Sequence, residues 1–564
     1  MQSLILLSTA IIVFLFAFRF YGRYLTSLFQ IDIHRKTPAH ERRDDIDYVP
    51  TKAPVLFGHH FASIAGAGPI VGPVLGVCFG WVPVALWIIL GTVLIGAVHD
   101  FAALFVSVRN EGYSIGRIIE RYIGYSGRQI FLLFCFAALI LVVSIFALLI
   151  AKTFVASPSV ATSSIYFVFL ALIFGFLVYQ HHLSLLIGSL IFLPLLFGGI
   201  QIGIQYPLDL VSLFHMTTQQ AKNIWLVVLF IYVFIASVVP VWMLLQPRDY
   251  LNSYLLYSMI LLGFISIIFV NPTIQMPAFS GLVVEEPTKG GVQWALFPIL
   301  YVTVACGACS GFHALVASGT TAKQLDREAH ILPIGYGAML VEGIVAIMAL
   351  ISVAILTKEE FVTILSTKGA VYAFSSGLAG LASQLGIPQK TGNTLISLTI
   401  SAFMLTTLDT ATRLTRFTVQ GLCIPKRKSQ KRVGNLVRFL NNRFVATFIV
   451  VVLSGYLAFS GDAGKIWPVF GASNQLLAAL TLLLITIILI KKRANYWVTF
   501  LPFLFMFIIS FWAIIKLFWV NLKPLNWPLT ISTIFLFVLS GLMIIQSVLR
   551  VMIWSKKTNS KIRV

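Results

Sequence analysis

The chain has 564 residues, 59% of them hydrophobic and 10% charged, with 40 Lys+Arg against 19 Asp+Glu and a net charge of +21. Soluble domains carry about 25% charged residues, so a soluble globular protein is excluded, and the same figures exclude a disordered chain. The basic excess needs no nucleic acid, because Lys and Arg of membrane proteins gather in cytoplasmic loops.

Fifteen apolar segments are long enough to span a bilayer: residues 4–20, 58–79, 81–108, 127–155, 161–180, 183–206, 224–245, 251–270, 293–318, 333–356, 393–412, 444–461, 467–490, 496–517 and 527–553. The first lacks a positive n-region and a small-residue cleavage site, and is expected to be an anchor, not a removed signal. With the N-terminus outside, alternate segments facing inward collect most of the Lys and Arg, the largest group in 413–443. One missed span would reverse that asymmetry, so the topology expected is N-terminus outside, C-terminus cytoplasmic. The basic run 423–438 reads as a solvated loop, with anionic lipid headgroups as the alternative. The five cysteines are odd in number and no structural disulfide is expected. Cys306 and Cys309 form a CxxC inside a Gly/Ala-rich apolar helix and read as small packing residues, with a redox or metal pair as the alternative.

Two places break the helical pattern. In residues 59–73, Pro69 and Pro73 remove donors while Gly66, Gly68 and Gly72 permit close backbone approach. A half-helix beginning near Pro69 would aim its positive end at mid-membrane, where it favours a carboxylate. The expected substrate contacts are therefore His59, His60, Ser63, Gly66, Ala67, Gly68 and Pro69. Trp242 and Gln246 join them from a second break at Pro240. The alternative for the first cluster is a proline-kinked packing helix. A third small-residue stretch, 306–313, continues to Thr321.

An ionisable group at the centre of a span costs about 2.5–3.5 kcal/mol, which singles out Glu342, Asp100, His99 and Asp409. Glu342 has no basic residue at helical spacing on its own segment, and reads either as a proton carrier or as a structural hydrogen-bonding group. Asp409 is expected to pair with Arg413 one turn on; lining an ion or substrate path is the alternative. His99 could hold a proton or pair with Asp100. His313 is open between roles, and Ser310 offers a hydroxyl to a hard cation. His59-His60 and His181-His182 lack Cys or carboxylate partners at ligand spacing, so no metal and no cofactor is expected. GxxxxGK[ST], G-x-S-x-G and H-E-x-x-H are all missing, against nucleotide-driven transport and against an intramembrane hydrolase.

The run 48–73, together with Gly96-Ala97-Val98-His99-Asp100-Phe101, Gln246-Pro247-Arg248-Asp249-Tyr250-Leu251 and Gly471-Ala472-Ser473-Asn474-Gln475-Leu476, resembles the carbon starvation protein A family. The resemblance covers about residues 48–480, although the chain is shorter than the family's longer members. It implies a bacterial inner-membrane secondary transporter related to the amino acid–polyamine–organocation superfamily, whose members are linked to pyruvate uptake with protons and to peptide uptake in starving bacteria. The fold class expected is an all-α polytopic bundle of about fifteen transmembrane helices with a LeuT-like 5+5 inverted-repeat core. Residues 1–57 would supply one extra helix and a basic loop, 58–420 the core with halves opening at Gly58 and Ile224, and 421–564 a basic loop and four extra helices. The function expected is proton-coupled import of a small carboxylate, pyruvate first, or of short peptides. Sodium coupling through Ser310 and broken-helix carbonyls is the rival, and a non-transporting sensor or scaffold is the alternative of another class.

Overall fold

Apolar stretches of this length must become helices, because a helix satisfies its backbone polar groups within the segment where no water reaches. Among the described residues, the computed structural model has thirteen helices long and apolar enough to cross a membrane. It has fourteen when Ala53–Ile64 and Gly68–Phe79, bent by 45°, count as one span. The chain is a multi-pass membrane protein. The structure describes residues 2–44, 47–240, 243–286, 293–424, 435–461, 463–522 and 526–562. Most of the basic run 423–438, namely 425–434, lies outside the described residues, and so does Trp242.

The expected span 293–318 is not one helix. Residues 296–324 form short helical pieces, with Val304 off the helical backbone (φ −95°, ψ 37°) and Cys309 extended (φ −164°, ψ 127°). Ala305–Gly311 holds two glycines, and each Gly costs a helix about 1 kcal/mol relative to Ala. Cys309 thus sits at a break, not inside a helix as expected. The helix Thr218–Val238 ends where the second break was expected: Val239 is extended (φ −69°, ψ 149°) and the next helix begins at Leu245, so the break closes this span and does not interrupt it. Two helices occupy a stretch expected to be loop: Lys358–Lys368, started by a Thr357–Glu360 capping box, and the apolar Ala370–Ser383.

Burial separates core from rim. The helices Gln389–Leu422 and Ala463–Lys491 are 89% and 94% buried over their most apolar windows, against 33% for Ser3–Leu28. Tyr125–Ala156 runs along Gln389–Leu422 and also packs on Ala463–Lys491. Ala463–Lys491, which the expected division left outside the transport core, is therefore central, while Trp497–Leu522 and Trp527–Ile553 flank it.

One end of the bundle is stapled by charge. Glu328 is fully buried and accepts from Arg109 Nη2 at 2.9 Å and from the Asp32 amide at 3.1 Å. Arg109 Nε lies 2.7 Å from its second oxygen. Nearby, His40 meets Asp326 at 2.9 Å and Thr51 N–H donates to Gln324 O. The loop after the first helix is thereby fastened to the 323–328 turn. Glu328→Gln leaves Arg109 facing a neutral amide; breaking a buried pair costs about 3–5 kcal/mol. A lower thermal midpoint in detergent and faster proteolysis within residues 29–44 are expected.

Candidate functional site

Three helix irregularities surround one buried polar cluster. His99 and Asp100 follow a π-helical turn, Thr92–Gly96. His313 opens the helix Phe312–Val316 just past the Cys309–Gly311 break. Glu342 lies on Ala338–Ala354, itself preceded by a π-helical segment, Leu332–Gly337. Such bulges shift side chains off the regular helical register and recur at functional sites. Asp100 joins two imidazoles: His99 Nδ1 at 2.7 Å on one oxygen and His313 Nδ1 at 2.8 Å on the other. The other nitrogen of His313 lies 3.4 Å from Glu342 Oε2. An ionised Asp100 only accepts, so both Nδ1 atoms carry hydrogen in that state. His99, Asp100 and Glu342 are 0% exposed and His313 1%. The pairing of His99 with Asp100 is one of the two readings the sequence left open. The partner of Glu342 comes from a different helix, which spacing on its own segment could not reveal.

The broken helix crosses this cluster. Ala65 leaves the helical backbone (φ −76°, ψ 54°) and a second half begins at Gly68. His60, fully buried, shares a 2.9 Å hydrogen bond with Thr321, and its Nε2 has no partner among the described residues. His59 is half-buried, and Ser63 donates its hydroxyl to the His59 carbonyl at 2.8 Å. Gly66 N–H turns back to Ile64 O at 2.8 Å. That leaves the amides of Ala67 and Gly68 as the donors that head can offer, since Pro69 has none. Gly68 is required by contact: a Cβ there would meet Cys306 Cβ at 2.3 Å. At Gly66 a Cβ would stand 2.8 Å from Thr407 Oγ1, a buried hydroxyl without partner among the described residues.

The second break is held open by Asn474. Its carbonyl oxygen accepts from Phe312 N–H at 2.9 Å, its amide donates to Ser310 Oγ at 2.9 Å, and its backbone carbonyl accepts from Gly311 N–H at 3.1 Å. Ser310 is therefore engaged by the helix Ala463–Lys491. Asn474→Ala leaves these buried groups unpaired at about 1–3 kcal/mol each. The variant is expected to unfold several degrees earlier in detergent, and Asn474→Asp to recover part of the loss.

Asp409 does not pair with Arg413. It accepts from the fully buried Arg248 and from Tyr232 O–H at 2.9 Å. Arg248 also reaches Thr406 Oγ1 at 3.2 Å and Asp249 at 3.4 Å. Arg413 instead donates to Ala236 O and Val239 O, each at 2.5 Å. The last carbonyls of a helix lack intrahelical partners, and they draw the arginine away from the aspartate. Arg248, Tyr232 and Asn474 were missed as functional side chains, though Arg248 and Asn474 stand within quoted motifs. Gln246 is exposed at the start of Leu245–Val270, apart from the inward-facing Pro247 and Arg248.

Comparison with known proteins bears on this arrangement. The model of the family "Carbon starvation protein CstA" matches residues 2–371 and 360–513. The chain belongs to the CstA family. A peptide transporter CstA of Campylobacter jejuni is 34% identical over 91% of this chain and 80% of its own length. The peptide transporter CstA of Escherichia coli is 33% identical over 89% and 79%. The pyruvate/proton symporter BtsT of Escherichia coli is 33% identical over 92% and 82%. This CstA-family chain thus spans about four-fifths of those relatives' lengths while carrying the whole carboxylate–imidazole cluster.

Proposed function

We propose that the protein is a proton-coupled secondary transporter of the bacterial inner membrane that imports a small carboxylate such as pyruvate, or short peptides. The carrying observation is the buried chain His99–Asp100–His313–Glu342 beside two broken helices. Counting charge gives the reason. An ionised Asp100 and a protonated His313 cancel, and an ionised Glu342 would leave one uncompensated charge in the membrane interior, at about 2.5–3.5 kcal/mol. A proton on Glu342 removes it, so the cluster can alternate between loaded and unloaded states as the surrounding helices move. The peptide and pyruvate names of the relatives support the substrate classes, both of which present a carboxylate. The amides of Ala67 and Gly68 at the head of the second half-helix, with His59 and Ser63 before them, suit that group.

Packing supports an inverted-repeat core divided differently from the sequence expectation. The broken helix 53–79 and Trp81–Arg109 correspond to the broken run 296–324 and Glu328–Ala354. Tyr125–Ala156 corresponds to Gln389–Leu422, Thr218–Val238 to Arg443–Ser460, and Leu245–Val270 to Ala463–Lys491. The contacts mirror one another: Leu245–Val270 lies on Gln389–Leu422 as Ala463–Lys491 lies on Tyr125–Ala156. Seven spans separate the start of one half from the next, so the two halves cross in opposite directions. The helices Pro158–Val178 and Leu185–Gln205 are then an insertion, and the N-terminus is outside and the C-terminus cytoplasmic.

Sodium coupling is the second reading, favoured by the Thr407 hydroxyl at Gly66, without a partner among the described residues, more than by Ser310, which Asn474 occupies. Labelled pyruvate and dipeptide uptake into proteoliposomes under an imposed pH gradient, with choline replacing sodium, decides between them. Uptake that follows the pH gradient in choline supports the proton; uptake that needs sodium and ignores pH overturns it.

A further inference from the structure

A lipid-facing furrow runs between Thr218–Val238 and Arg443–Ser460. Its volume is about 520 Å³, and its walls are apolar and aromatic, including Phe230, Ile231, Ile235, Phe448, Val452 and Phe459. One end of it is polar. Ser237 and Thr447 hydroxyls meet at 3.3 Å where the two helices come together. Around that point stand Arg413, Arg416 and Arg443. Arg413 donates to Ala236 O and Val239 O, Arg416 to Ser237 O at 2.5 Å, and Arg443 begins the second furrow helix. Arg413 and Arg443 each lie within electrostatic reach of Arg416. No carboxylate forms an ion pair with any of them among the described residues, since the nearest buried acid on their helix, Asp409, is taken by Arg248. Arg416 is only 7% exposed. The Nε atoms of Arg413 and Arg416 are buried without partners among the described residues.

We propose that this furrow is a binding site for an anionic phospholipid, with an acyl chain along the apolar groove and the headgroup phosphate on Arg416 and Arg443. Three like charges gathered at one spot repel, and carbonyl dipoles at a helix end offset only part of that. A phosphodiester supplies the missing negative charge and accepts from guanidinium forks in matched geometry. Basic pockets between transmembrane helices on the cytoplasmic side bind such headgroups, and the positive-inside pattern puts these arginines on that side. A solvated arginine cluster would not need an apolar groove ending on it. A bare groove would hold any chain without regard to headgroup.

The test uses the full chain, stripped of lipid in detergent and then supplied with phosphatidylglycerol, cardiolipin or phosphatidylcholine. Native mass spectrometry and thermal unfolding are read together. Wild type is expected to retain anionic lipid at least tenfold better than phosphatidylcholine and to unfold at a higher temperature with it. Arg443→Gln, whose side chain is exposed and stacks on Phe444, should lose the preference for anionic headgroups without loss of fold. Gly455→Leu, which fills the groove floor beside Phe230, should lose retention of every lipid class. Equal retention of phosphatidylcholine overturns the proposal, as does full stabilisation by glycerol phosphate alone, which would make the site one for a free anion. Furrow-to-furrow cross-linking between two copies, with dimers in detergent that added lipid leaves intact, would assign the groove to a second chain instead.

Discussion

Glu342→Gln is expected to reduce gradient-driven accumulation of substrate at least tenfold while leaving substrate exchange across the membrane largely intact. The side chain keeps its size and loses only the exchangeable proton. In the folded protein both Glu342 oxygens are buried without a hydrogen-bond partner among the described residues, and the nearest cation is His313 at 3.4 Å. A glutamine therefore forfeits no short hydrogen bond, and the thermal midpoint should stay near that of wild type. A purely structural Glu342 predicts the opposite pattern: stability falls and accumulation by the surviving folded protein is normal. Exchange separates coupling from damage, because a transporter locked in the proton-loaded state can still shuttle substrate both ways but cannot harvest a gradient. The measurement is labelled pyruvate accumulation in proteoliposomes with an alkaline interior, followed by counterflow without a gradient. Full accumulation by the variant would remove Glu342 from the coupling step. Asp100→Asn should be harsher, since it weakens the acceptor shared by two imidazoles and loses stability as well as transport.

Much of the architecture was legible because lipid leaves a chain few choices. Thirteen expected spans appear as single helices and a fourteenth as the bent pair, and the break at residues 65–67 falls where Gly66, Gly68 and Pro69 announced it. Hydropathy says where a segment is apolar, however, and not whether its helix is continuous; that is why 293–318 read as one span. Ala370–Ser383 stayed hidden because a helix of fourteen residues is too short to cross, yet it packs against other helices. The candidate site was half visible. Asp100, His99 and Glu342 stood out as costly in an apolar setting while His313 was left open between roles, and the structure brings all four together. What joined them could not be read from one sequence, because each link except His99–Asp100 runs between different helices. Asp409 shows the limit of local spacing. An i,i+4 arginine was available, but its helix directs it toward the unpaired carbonyls after Ala236, while Arg248 arrives from another segment.

That cross-helix pair carries the second large effect. Arg248→Met should destabilise the protein by about 3–5 kcal/mol, because it strands a buried carboxylate at Asp409. The loss is more than electrostatic. Arg248 ties Leu245–Val270 to Gln389–Leu422 through Asp409 and Thr406, and Tyr232 brings Thr218–Val238 to the same carboxylate. Asp409→Leu alone should cost a similar amount for the complementary reason, a buried guanidinium left with Asp249 and hydroxyls only. The double variant, Arg248→Met with Asp409→Leu, tests whether charge or packing is at issue. Replacing both members of a buried pair with apolar side chains of similar volume is often neutral, so the double should recover most of the stability lost by either single. The four proteins form a cycle read from thermal or denaturant unfolding in detergent, with a coupling energy of at least about 2 kcal/mol expected. Additive losses would mean that Arg248 is held mainly by its other partners. In that event Asp409 would be free to act as a second titrating group beside the broken helix, and its isosteric variant Asp409→Asn should then change the pH profile of uptake as Glu342→Gln does.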